Sequence, residues 1–472
     1  MTRDSIWTMN EACTATGGQC EMNWVAQGVS IDSRTVEYGD LFIALVGPNM
    51  DGHKFVAQAF ERGAVAAIVS RKPDNFDPSW PLVMVEDTQQ ALEGLGIFAR
   101  DRVGAHICAV TGSVGKTGTK EALRQTLERS GATHASVASY NNMWGVPLSL
   151  ARMPRDTAFA IFEIGMNHAG EISPLGKMVR PHVAIITTVE AAHLEFFEDI
   201  QAIADAKAEV FEGLEPGGVA ILNKDNDQFD RLAKAATDAG ARVVSFGENT
   251  VADVHLDRLA LHPNCSCVSA HIGEMQATYK IGMPGHHWAT NSLAVLAAVD
   301  ALGADVGLAT MALAAMTAPD GRGRRHRISM PNGDFDLIDD SYNASPVSMR
   351  AAFKVLAGAT VLQGGRRIAV LGEMKELGPA SGDMHSALAA DIEAAGIDLV
   401  ITSGALMAGL SEALPGIMRV AQCENSDEAA DKAVDVIRPG DVILVKGSLA
   451  SGMARVVEGL MALEATPRVV NG

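Results

Sequence analysis

Short apolar runs alternate with stretches of helical spacing along most of the chain. Between about 104 and 318 the runs are His106–Thr111, Phe159–Ile164, Val183–Thr188, Val219–Leu222 and Val243–Phe246. Runs this short, parted by helical patterns, predict buried strands of a mostly parallel sheet with helices on both faces. The pattern restarts after about 319. One strand is predicted from Phe335, ending in the polar Asp339-Asp340-Ser341-Tyr342-Asn343-Ala344. Others are predicted at Ile368–Leu371, Leu399–Thr402 and Val442–Val445, followed by Gly372, Gly404 and Gly447. This predicts a doubly wound, Rossmann-like unit. Ahead of both, Asp40–Val46, Ala66–Val69 and Leu82–Val85 read as strands and Phe55–Arg62 as a helix. The expected fold class is α/β in three domains: a small α/β unit over 1–103, the central sheet over 104–318, and a C-terminal unit over 319–472.

Composition narrows this picture. A chain of 472 residues suits roughly three domains. Hydrophobic residues make up 47 %, which supports large cores and argues against disorder. The net charge of −19, from 38 basic and 57 acidic residues, excludes a nucleic-acid coat but not the binding of one nucleotide. The cysteines, Cys13, Cys20, Cys108, Cys265, Cys267 and Cys423, are scattered, and no pair has metal-type spacing with histidines. They read as the reduced thiols of an intracellular enzyme. Met1 to Asn23 lacks the basic start and apolar run of a signal peptide. No apolar stretch approaches the ~20 residues of a membrane span. A cytoplasmic protein is expected, and a monomer.

The chemistry concentrates after the strands, where parallel sheets place their ligands. The first central strand runs into Thr111-Gly112-Ser113-Val114-Gly115-Lys116-Thr117-Gly118, a shortened phosphate loop with two residues between its glycines. Such a loop turns backbone N–H groups toward one point, and Lys116 and a helix N-terminus add positive charge. Thr117 supplies a hydroxyl of the kind that holds Mg²⁺. Glu163 ends the next strand within an apolar run. A buried carboxylate needs a partner, and a Mg²⁺ at the phosphate loop would be one. His193 sits in the loop after the third strand, where it would face the same site. Lys207, on the helical Ala204–Phe211, reads by itself as a solvated surface lysine.

Other polar groups have weaker signals. Asn141-Asn142-Met143-Trp144-Gly145 makes a polar turn into a helix. Gly285–Asn291 opens another, with an amide, Asn291, able to read a purine edge. Pro319–Arg327 reads as a glycine-arginine linker whose four arginines suggest a polyphosphate nearby. Asp32-Ser33-Arg34-Thr35 is a surface turn or a contact for a polar ligand, which would make the first domain a binding module. Leu371–Gly378 and Val445–Ser448 are strand-end loops set to face the phosphate loop across a cleft.

Taken jointly, Thr111-Gly112-x-x-Gly115-Lys116-Thr117, Asn141-Asn142-x-x-Gly145-x-Pro147, Glu163-x-Gly165, Glu190-x-x-His193 and Lys207 resemble the ATP-dependent Mur ligases of cell-wall synthesis. Asp339–Ala344 and Leu371–Met374 resemble the member that adds D-alanyl-D-alanine. The Asp-Asn-Pro-Arg signature of the diaminopimelate-adding member is absent from the chain. The resemblance implies a ligase that joins D-alanyl-D-alanine to UDP-N-acetylmuramoyl-tripeptide with ATP, forming the pentapeptide precursor of peptidoglycan. It further implies that Gly112, Ser113, Val114, Gly115, Lys116, Thr117 and Gly118 hold the ATP phosphates. Thr117 and Glu163 would hold one Mg²⁺, and His193 with a carbamylated Lys207 a second. Lys116, Lys207, His193 and Glu163 would then carry the catalysis. Asn291 would contact adenine, and Arg322 and Asp340 the nucleotide from across the cleft. Ser33, Arg34, Asn141 and Asn343 would meet the substrates. The chain departs from the family pattern at Trp288 and Thr188, where Asn is usual, and at Glu373, where Asp is frequent. A nucleotide switch on the same loop is the rival class, and the carboxylate–histidine–lysine set counts against it.

Overall fold

The computed structural model describes residues 5–464 apart from 138, 192, 193 and 363. Among the described residues the central sheet has nine strands. Its parallel core runs, in spatial order, Arg242–Gly247, Val219–Asn223, Val183–Ile186, His106–Thr111, Phe159–Glu163 and Thr133–Ala135. The predicted strands are all present, and their continuous apolar character follows from burial on both faces. One face packs on the helices Lys116–Leu127 and His286–Ala301 and the other on Ile172–Val179 and Ile200–Ala208, so two separate cores form.

Four strands lie beyond the predicted set: Thr133–Ala135 at one edge, and at the other Val254–His262, Cys265–Ile272 and Met275–Ile281, the last two pairings antiparallel. In Cys265–Ile272 buried positions alternate with half-buried ones, which marks one face as more open to solvent. The C-terminal sheet has the order Arg324–Met330, Gly333–Asp340, Val442–Lys446, Arg367–Gly372, Leu399–Ser403 and Arg419–Cys423. Its first pair is antiparallel and the rest parallel. The expected glycine-arginine linker is thus half strand, because Arg324–Met330 closes a hairpin onto Gly333–Asp340 and buries Ile328.

The first sheet is parallel throughout, in the order Gly28–Ser30, Asp40–Ile43, Ala66–Val69 and Leu82–Met84. Its helix Thr88–Asp101 packs on the central helix Gly145–Ala151, and one core cluster joins Leu92 and Leu95 to Leu148 and Ala151. Polar ties reinforce this junction. Trp7 Nε1 donates to the Ala151 carbonyl at 2.8 Å, and Arg152 Nε to the Val29 carbonyl at 2.6 Å. No described helix is long and apolar enough to cross a membrane.

Candidate active site

The phosphate loop leaves the strand His106–Thr111 and enters the helix Lys116–Leu127. Gly112 (φ +141°) and Gly115 (φ +89°) take conformations that suit glycine. A Cβ on Gly112 would also collide with the Thr187 hydroxyl. The neighbouring strand end pins the loop from beneath. Thr187 Oγ1 donates to the Val114 carbonyl at 2.6 Å, the Ser113 N–H to the Thr188 carbonyl at 2.9 Å, and the Glu190 N–H to Ser113 Oγ at 3.0 Å. Gly115 gives the helix no side-chain cap, which leaves the first-turn N–H groups available to an anion. Lys116 Nζ donates to the Gly112 carbonyl at 2.6 Å. Burial lowers its pKa, and the charge of Glu163 opposes that shift.

Glu163 is 1 % exposed. Thr117 Oγ1 donates to its Oε2 and Asn141 Nδ2 to its Oε1, each at 2.8 Å. Among the described residues the buried carboxylate therefore has two neutral donors and no salt-bridge partner. Hydroxyl and carboxylate oxygens side by side, next to orphaned N–H groups, are the donor types a hard cation beside a phosphate takes. The residues present thus fit both a polyphosphate and Mg²⁺.

Lys207 corrects the reading of a solvated lysine. It is 2 % exposed on the helix Ile200–Ala208, and its side-chain amine makes no hydrogen bond or ion pair among the described residues. Burial, and then the nearby charge of Lys116, push its pKa well below the ordinary lysine range. Its amine is therefore held toward the neutral, nucleophilic form. His193 lies outside the described residues.

The loop opens onto a cleft of about 880 Å³ between the central and C-terminal sheets. Ser113 to Gly118, Asn141, Glu163 and Asn291 line it from the central side, Arg322, Asp340, Asn343 and Lys446 from the other. Arg322 stacks over the Tyr342 ring at 4.3 Å and donates across the cleft to Ser139 Oγ at 3.0 Å. Ser139 in turn lies 3.3 Å from Thr117 Oγ1. Of the four arginines expected near a polyphosphate, only Arg322 lines the cleft. Arg324 pairs with Asp320, Arg327 with Asp336, and Arg325 reaches Asn264.

Lys446 was not among the expected site residues. It is 2 % exposed and donates to Asp340 Oδ2 at 2.7 Å and the Asn343 carbonyl at 2.8 Å. Burial raises the Asp340 pKa, and Lys446 opposes that rise. The signal for it was a lysine at the end of an apolar strand, the pattern that also marks Glu163. Ser33 and Arg34 stand apart from the cleft. Ser33 is buried with its Oγ donating to Gln58 Oε1 at 2.7 Å, and the exposed Arg34 is paired with Asp32 at 2.7 Å.

Three family models match: the Mur ligase family catalytic domain over residues 25–97, the Mur ligase middle domain over 110–299, and the Mur ligase glutamate ligase domain over 323–449. The UDP-N-acetylmuramoyl-tripeptide–D-alanyl-D-alanine ligase of Rickettsia prowazekii is 33 % identical over 96 % of this chain and 99 % of its own. The chain belongs to the Mur ligase family. Among solved Mur ligases, the crystal structure of MurF from Acinetobacter baumannii superposes with a TM-score of 0.83 at 32 % identity, covering 97 % of this chain and 99 % of that one. MurF ligase from Thermotoga maritima, solved in complex with ADP, gives 0.75 at 26 % identity, covering 92 % and 97 %. One departure from the Mur ligase pattern has a local cause. Trp288 lays its six-membered ring on Gly118, where a Cβ would stand 2.9 Å from a ring carbon, so a glycine beneath makes room for the indole.

Proposed function

We propose that this Mur ligase joins D-alanyl-D-alanine to UDP-N-acetylmuramoyl-tripeptide, hydrolysing ATP to ADP and phosphate. The observation that carries the reading is the Thr117–Glu163–Asn141 constellation at the phosphate loop, facing Arg322, Asp340 and Lys446 across one cleft. The likeness to relatives that carry this name, over nearly their whole length, supports it.

A carboxylate is a poor acyl donor because its leaving group would be oxide. Its attack on the γ-phosphorus of ATP, expelling ADP, gives an acyl phosphate. The dipeptide's amine then adds to the acyl carbon and phosphate departs. The first step drives one anion onto another, so local positive charge governs its barrier. Lys116 and the first-turn N–H groups would hold the phosphates, with Asn291 at the adenine and Arg322 and Asp340 at the nucleotide's far side. Thr117 and Glu163 would hold Mg²⁺, which supplies charge neutralisation between phosphate and carboxylate. The neutral amine of Lys207 would add CO₂ and release a proton, and the resulting carbamate would ligate a second Mg²⁺ together with His193. Asn141 and Asn343 would contact the peptide end. Arg34 would exchange Asp32 for the UDP phosphates at the first domain. ATP and a UDP-linked substrate put the reaction in the cytoplasm.

A coupled assay tests this. ADP should appear with UDP-N-acetylmuramoyl-tripeptide and ATP only when D-alanyl-D-alanine is supplied, mole for mole with the pentapeptide. Release driven instead by diaminopimelate, lysine or glutamate would assign another member's reaction. No amine-dependent release would leave a nucleotide-binding protein.

A further inference from the structure

The antiparallel strands at the far edge of the central sheet carry a side-chain group that the ligase chemistry does not use. His255 and His271 are direct cross-strand partners on Val254–His262 and Cys265–Ile272, and their rings stack with centroids 4.8 Å apart. The register slips between Leu256 and Arg258, which makes Asp257 the extra residue of a β-bulge. A bulge gives up ladder pairing and re-aims a side chain. Here it turns the Asp257 carboxylate onto the histidine pair. Asp257 Oδ1 lies 2.9 Å from His271 Nδ1 and 3.6 Å from His255 Nε2, and the three ligand atoms fall within 4.8 Å of one another. Ligand atoms of a tetrahedral zinc site, with bonds of ~2.0–2.1 Å, stand ~3.3 Å apart. Two of the three edges already bracket that spacing.

Outer partners set the donors. His255 Nδ1 faces the Ala252 carbonyl at 3.0 Å, which keeps its proton there and leaves the Nε2 lone pair toward Asp257. Gln276 donates to the second carboxylate oxygen, Asp257 Oδ2, at 3.3 Å. Metal-binding imidazoles and carboxylates are oriented by such outer hydrogen bonds. All three side chains are only partly buried, so a water has access as a fourth ligand.

We propose that His255, Asp257 and His271 form a surface site for a divalent transition metal, zinc by its donor set of two imidazoles and a carboxylate. The Thr117–Glu163 pair offers oxygen donors suited to Mg²⁺, whereas this site offers two imidazoles beside its carboxylate. An ion here clamps the two strands where the bulge interrupts their ladder.

The full chain, stripped with a chelator, is dialysed against Zn²⁺ in the presence of millimolar Mg²⁺, and bound zinc is measured by elemental analysis. Wild type should retain one equivalent more than His271→Gln and than Asp257→Asn, and zinc should raise the melting temperature of wild type alone. The variants should melt with wild type when zinc is absent, which shows them folded. Zinc contents equal in wild type and both variants, or an equal zinc-induced melting shift, would overturn the proposal. Should His271→Gln melt lower without zinc, the comparison rests on Asp257→Asn, which keeps the side chain's shape.

Discussion

At the residue scale the site depends on two buried groups, the carboxylate of Glu163 and the amine of Lys207. Glu163 accepts from Thr117 and Asn141 and, among the described residues, has no salt-bridge partner. Glu163→Gln keeps the shape and can still hydrogen-bond both neighbours, so the fold should survive. Turnover should fall by about 10²–10³-fold, the scale seen when one charge-stabilising group is lost. Steady-state kinetics at saturating Mg²⁺ would check it, and near-normal kcat would remove Glu163 from the metal's ligands. Lys207 gives a prediction in pH. Its folded pKa is depressed, so between that value and the ordinary ~10.4 the unfolded chain binds a proton that the folded chain resists. Stability therefore rises with pH through this window, and the burial penalty is full below it. In CO₂-free buffer Lys207→Met should melt higher than wild type at pH 7, and the gap should narrow as pH approaches the ordinary lysine value. A melting series across that range reads it, and a constant gap would mean that Lys207 stays charged. The same variant should be inactive as a ligase.

At the scale of elements, the phosphate loop owes its shape to glycines that the adjoining strand end presses against. Gly112→Ala puts a Cβ into the Thr187 hydroxyl from a backbone angle that alanine resists. Such strain costs about 1–3 kcal/mol. Denaturant unfolding should show that loss, and nucleotide affinity should fall with it. Five strands of the parallel core were legible because burial on both faces makes each a continuous apolar run, whereas the half-buried edge strand Thr133–Ala135 has no such run. The loops after them were legible for the same reason, since a strand's end tells where its ligands go. The meander from Val254 to Ile281 was missed because one solvated face breaks the run into alternation, and its polar positions look like loop. Arg324–Met330 was missed because arginines on an exposed edge strand read as a linker. Lys207 shows the limit of local sequence most plainly. Small neighbours on a helix do not reveal that the helix is covered, and only the packing of Ile200–Ala208 beneath the sheet does.

At the scale of the whole molecule, the two domain junctions differ in kind. The first is a shared apolar core, with Leu148 and Ala151 packed among residues of the first domain and Arg100 donating to the Val179 and Arg180 carbonyls. Among the described residues no core cluster spans the second junction, which is polar and turns at Gly321 and Gly323, both at positive φ. Closure is expected there, with the C-terminal domain moving against a rigid pair and expelling water from the cleft. Small-angle scattering should report a smaller radius of gyration with a non-hydrolysable ATP analogue and the UDP-tripeptide. Unchanged profiles would mean that the cleft is already set. The central claim is that a carboxylate is activated by phosphorylation in the cleft that Lys116 lines from one side and Arg322 and Lys446 from the other. Tripeptide substrate labelled with ¹⁸O in its terminal carboxylate tests it most directly, with the released phosphate analysed by mass spectrometry. One ¹⁸O should appear in the phosphate for each pentapeptide formed; phosphate carrying no label alongside pentapeptide would contradict the account.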